Sequence, residues 1–124
     1  LFVSHSDRVL LGTDVPNPGV TGGHSVYEEL MLMSRVFGMS PYRVLRTATV
    51  NAASCIGISS QKGRLKEGMD ADILVLDEDP MLDIRNAESY SAVIKEGAWH
   101  DKAEMDSVLE RVKHYSEEYI QPLM

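Results

Sequence analysis

At Gly63 the hydrophobic period of the chain changes, and this switch constrains the fold more than any other feature. Before it, apolar residues recur at helical spacing. After it, short apolar runs bounded by acids and turn residues read as strands. Upstream, Val26, Leu30, Met33 and Phe37 follow Ser25, which precedes Glu28 by three residues as a capping box, and Gly38 ends the pattern. This predicts a helix over 26–37. Ser40-Pro41 supplies an N-cap and a proline at the first helical position, and Val44, Leu45, Ala48, Ala52, Cys55 and Ile56 carry a stripe to Gly57, which predicts a second helix over 41–56. The small residues Thr47 to Ala53 let that helix approach a neighbour closely, and Cys55 reads as a small buried hydrophobe.

Downstream, Ala71 to Asp77 reads as a strand ended by Asp79-Pro80, and Ser91 to Lys95 as another that closes at Glu96-Gly97, with Trp99 just beyond and expected to pack. So few strands make a poor sheet on their own. Asp101 and Glu104 form a second capping box, and Met105, Val108, Leu109, Val112, Tyr115, Tyr119 and Ile120 then recur at helical spacing. They predict an amphipathic helix of about twenty residues, its apolar face docked on the rest of the chain or used in an oligomer contact.

The chain has 124 residues, 44% hydrophobic and 25% charged, as a globular domain with a modest core does. No apolar run reaches about eighteen residues and no secretory signal is visible, so a cytoplasmic protein is expected. A net charge of −7 without a Lys/Arg cluster removes the electrostatic basis for binding nucleic acid or an anionic membrane, leaving a small molecule or a protein as partner. The sequence opens at Leu1 without methionine, which suggests that it starts within a longer protein.

Gly12-Thr13-Asp14 follows the apolar run Val9-Leu10-Leu11, which reads as a buried strand. Asp14 then has two readings. It is a turn-forming residue in Asp-x-Pro, or an active-site carboxylate at the carboxyl end of a barrel strand, able to bind a metal or move a proton.

Five elements, in order, carry a family resemblance. They are Gly12-Thr13-Asp14 with Pro16-Asn17-Pro18-Gly19; Glu28-Glu29-Leu30; Ser40-Pro41 with Leu45 to Ala53; Lys62 to Asp72; and Asp79-Pro80 with Val93 to Gly97. Together they resemble the carboxyl-terminal portion of the amidohydrolase superfamily, specifically its imidazolonepropionase-like and prolidase-like metal-dependent hydrolases. The resemblance implies an α/β fold: a C-terminal fragment of a (β/α)8 barrel over 1–60, with Val9 to Asp14 as its eighth strand, part of a small β-sandwich over 61–100, and a C-terminal amphipathic helix over 101–124. It implies hydrolysis of a C–N bond in a cyclic amide, a dipeptide or a deamination substrate, at a divalent metal, commonly zinc, with Asp14 as metal ligand and proton shuttle.

A barrel of this kind needs about 250 residues, so the other seven strands and the His-x-His ligands are expected outside this chain. Alone it is expected to hold little metal and not to turn over. In the loop after Asp14, His24 and Asn17 are candidates for substrate contact, against the plainer readings of an exposed histidine and a rigid turn. Glu28 reads as a cap and Asp72 as structural. Apolar faces left without their barrel neighbours make a homo-oligomer the expected state. The alternative is a non-catalytic interaction or assembly module that works through the Met- and Tyr-bearing last helix.

Overall fold

Ser25, Glu29 and Met33 recur four residues apart and turn one face of a helix inward, beside buried Leu30. In the computed structural model, which describes residues 8–15, 17–18, 20 and 22–115, this is α1, His24–Arg35. It starts earlier than the pattern predicts. Gly23 is its N-cap, no side chain caps it, and Ser25 is buried inside the first turn, so the expected Ser25/Glu28 box does not form. Phe37 falls beyond the helix end and is exposed.

The predicted second helix is two. Pro41 opens α2, Pro41–Ala48, as expected, and α3 runs Val50–Cys55. Between them Thr49 leaves helical geometry at φ −124° and ψ −89°. The threonines account for the break. Thr47 Oγ1 donates to the Val44 carbonyl at 2.7 Å and Thr49 Oγ1 to the Leu45 carbonyl at 2.8 Å. Such bonds compete with the helical ladder. Cys55, in the last turn of α3, is exposed rather than buried.

The small residues of α3 do admit a close neighbour. Gly63, at φ +92°, lies where a Cβ would be 2.7 Å from Ala53 Cβ and 3.0 Å from the Thr49 carbonyl oxygen. Only glycine fits both the space and the left-handed backbone.

Beyond Gly63, β1 (Ile73–Leu76), β2 (Tyr90–Lys95) and β3 (Ala98–Asp101) form an antiparallel sheet in the order β1-β2-β3. Glu96 (φ 51°) and Gly97 (φ 84°) make the two-residue turn between β2 and β3 and set Ile94 opposite Trp99. Trp99 is 60% exposed on this edge strand, against the expectation that it packs. A 3₁₀ helix, Ile84–Glu88, links β1 to β2 and sends Ile84 and Ala87 into the core formed with Leu30, Met33, Met39 and Val44.

Asp101 accepts the Glu104 N–H at 2.9 Å and caps α4, Lys102–Tyr115, as predicted, but the Glu104 carboxylate meets His100 Nδ1 at 3.0 Å, so the reciprocal half of the expected box is not seen. The helix rests on β2 and β3. Leu109 and Val112 remain exposed. Tyr119 and Ile120 lie outside the described residues, as does Pro16.

The expected strand Val9–Leu11 is absent among the described residues: the segment belongs to no ladder. Val9 and Leu11 pack on the core while Leu10 is exposed, so alternation survives without a sheet. Its backbone groups are met by helices instead. Leu11 N–H donates to the Thr47 carbonyl at 3.3 Å, and Asn51 Nδ2 donates to the Val9 carbonyl at 3.1 Å. No helix among the described residues is long and apolar enough to cross a membrane.

Candidate functional site

Asp14 stands at the end of that tethered segment, at φ 55°. Left-handed backbone is uncommon for a residue with a side chain, and Asp and Asn tolerate it best. The carboxylate is exposed and its Oδ2 accepts a hydrogen bond from Asn17 Nδ2, while the Asp14 carbonyl accepts the Asn17 N–H at 3.1 Å. Of the candidate site residues, Asp14 and Asn17 are therefore brought together. Asn17 orients one carboxylate oxygen and leaves Oδ1 without a partner among the described residues.

His24 takes another position. As the first residue of α1 its ring lies between two carboxylates, with Nε2 3.8 Å from Glu28 Oε1 and Nδ1 3.6 Å from Glu88 Oε1. No hydrogen bond or ion pair joins it to Asp14 or Asn17 among the described residues. Glu28 thus faces His24 and caps nothing.

Glu29 is the residue that the sequence reading passed over. Both of its carboxylate oxygens accept the Gly12 N–H, at 3.0 and 3.2 Å. The signal was present: a carboxylate set four residues from Ser25 and from Met33 on an inward stripe needs a donor. A cavity of about 390 Å³ opens here, bounded by Thr13, Val20, Ser25, Glu28, Glu29 and Leu32 among others.

A second charged cluster lies at the sheet. Asp72 receives Lys62 Nζ at 2.5 Å, Lys95 Nζ at 3.1 Å and the Glu96 N–H at 2.9 Å. Chiefly the Lys62 hydrogen bond, then the Glu96 N–H and Lys95, holds its carboxyl well below the usual carboxylate range. Lys62 is raised in turn, first by Asp72 and then by Asp70. Asp72 thus ties Lys62, just before Gly63, to the end of β2 and the β2–β3 turn, which agrees with its structural reading.

No three His, Cys, Asp or Glu side chains converge as a metal set among the described residues. Asp14 offers one carboxylate donor of the several that zinc takes. The described residues supply no other, so by themselves they do not fit a zinc ion.

The model of the family described as "Amidohydrolase family" matches residues 2–105, which include Asp14, Asn17, His24 and Asp72. The chain belongs to the amidohydrolase family. An imidazolonepropionase of Rubrobacter xylanophilus is 38% identical over 92 residues, covering 72% of this chain and 22% of that relative. An ochratoxinase of Aspergillus niger is 34% identical over 86 residues, covering 68% and 17%. Among solved structures, a Bifidobacterium longum protein assigned to the prolidases superposes with a TM-score of 0.69 at 30% identity, covering 86% of this chain and 27% of that one. This amidohydrolase chain thus spans about a fifth of the length of the curated relatives it matches.

Proposed function

We propose that the chain is the carboxyl-terminal part of a metal-dependent amidohydrolase that cleaves a C–N bond in a small molecule, and that Asp14 is its proton carrier. The class of substrate is a cyclic amide, a dipeptide or a deamination substrate. The family match through residues 2–105 carries this reading, because it runs across Asp14 and its loop. The left-handed backbone of Asp14 adds support, since conformations of this kind cluster at active sites.

On this reading the segment 9–14 is the last strand of a (β/α)8 barrel and the β1–β3 sheet is part of a β-sandwich, both completed by residues outside the chain. A divalent metal, zinc by preference, would be held mainly by residues outside this chain and would supply an activated water, since coordination lowers the pKa of water to about 7. Asp14, with Oδ2 fixed by Asn17, accepts a proton at its other oxygen and returns it to the leaving nitrogen. Asn17 reaches substrate from the loop and His24 from the first turn of α1. Exposed Ile56, Leu65 and Leu82 give the isolated chain an apolar surface through which copies self-associate.

Expression of the full-length gene product tests this reading. It should hydrolyse Xaa-Pro dipeptides or cyclic amides and lose that activity to a chelator, while the purified 124-residue chain binds substoichiometric zinc and does not turn over. Stoichiometric zinc with hydrolase activity in the short chain would contradict it. One observation favours a second reading, a non-catalytic assembly module: α4 leaves Leu109 and Val112 exposed, at 58% and 61%. A full-length product that hydrolyses nothing in this class would favour the module.

A further inference from the structure

We infer that Glu29 is the positioning residue for Asp14, an inference that rests on the reading of Asp14 as proton carrier. Glu29 stands in the middle of α1 on the stripe of Ser25 and Met33, which are 8% and 5% exposed. Glu29 itself is half-buried there, at the edge of the cavity beside Thr13. It meets the Gly12 N–H with both oxygens, at 3.0 and 3.2 Å. Gly12 is two residues before Asp14, and among the described residues its N–H meets no ladder partner, so the Glu29 bond ties the end of this segment to α1.

The Leu11 N–H to Thr47 bond is its near neighbour on the same segment, and Asn17 grips the far side of Asp14. Asp14 is therefore held from both sides, and the Glu29 bond ties it to α1, the helix that contributes Leu30 and Met33 to the core. A hydrogen bond to a charged acceptor is stronger than a neutral one, and this one is shared between the two Glu29 oxygens. Losing it lets Asp14 drift relative to a bound substrate, and a displacement of about 1 Å at a reacting group can cost on the order of a hundredfold in rate. Glu29 touches no reacting atom in this scheme; it acts through the backbone.

The test uses the full-length gene product. Glu29→Ala should lower kcat at least about tenfold with KM changed less than about twofold, and should speed hydrogen exchange in the peptide covering 9–14. Glu29→Gln keeps an acceptor oxygen for Gly12 and should restore most of kcat and of the protection. Unchanged kcat in Glu29→Ala, or a Glu29→Gln enzyme that is folded and protected yet as slow as Glu29→Ala, overturns the inference. Asp14→Asn separates the two layers. If Asp14→Asn abolishes turnover and Glu29→Ala does not slow it, only the positioning role falls. If Asp14→Asn turns over normally, the reading of Asp14 falls and Glu29 has nothing to position.

Discussion

Two non-helical regions of this chain satisfy their backbone groups in different ways. The β2–β3 hairpin satisfies its backbone with its own ladder, and Asp72 locks its turn to the loop after Gly63. The segment 9–14 has no ladder and relies on Thr47, Asn51 and Glu29 of the helices. The hairpin is a local structure whose partner strand is reached in two residues. The segment is held by residues 17 to 42 positions away. Stability is local in one region, and in the other it depends on helices being in place.

The largest expected effect is at the junction of the two regions. Gly63→Ala forces a Cβ against Ala53 and the Thr49 carbonyl at a backbone φ of +92°. About 3 kcal/mol or more should be lost, from overpacking and left-handed strain together. Urea unfolding reads it, and Ala53→Gly in the same chain should return only the part due to the side-chain clash.

Next comes the lock on the hairpin. Asp72→Asn should lower the thermal midpoint at pH 7 by less than Gly63→Ala does. The folded-state pKa of Asp72 is depressed, so its contribution is present above the unfolded value and is lost as pH falls through the folded one. The gap between wild type and Asp72→Asn should therefore narrow once pH drops below about 4. Melting curves across pH 2 to 7 check the sign. Asp83, whose carboxyl Arg85 holds down at about 2, titrates in the same direction and is unaltered by the substitution.

Asn51→Ala sharpens the comparison with the smallest change. It removes a donor to the Val9 carbonyl and should cost about 1 kcal/mol. Hydrogen exchange should quicken in residues 9–14 and stay unchanged in the hairpin.

The same contrast decides what could be read from sequence. The strands β1 and β2, the Glu96-Gly97 turn, the Pro41 helix start and the Asp101 cap were legible, because each is specified by neighbours within a few residues. The strand β3 was not, since Ala98-Trp99-His100-Asp101 has little strand character and owes its form to pairing with β2. Thr49 was missed because the apolar stripe continues across it, while the hydroxyls of Thr47 and Thr49 act on carbonyls and leave no mark on hydrophobic spacing. Val9–Leu11 has a strand's pattern, but pattern does not supply a partner. In the site, Asp14 and Asn17 could be paired from their turn chemistry, whereas Glu29 to Gly12 spans the loop and is set by packing of α1.

The proposed hydrolysis depends most directly on the acid at position 14. In the full-length gene product, Asp14→Asn should leave the fold intact while kcat for C–N hydrolysis drops by about two to four orders of magnitude, the usual span for loss of a general acid-base group. Turnover within about twofold of wild type at the same substrate concentration would show that Asp14 is only a turn residue and would contradict the proposed chemistry.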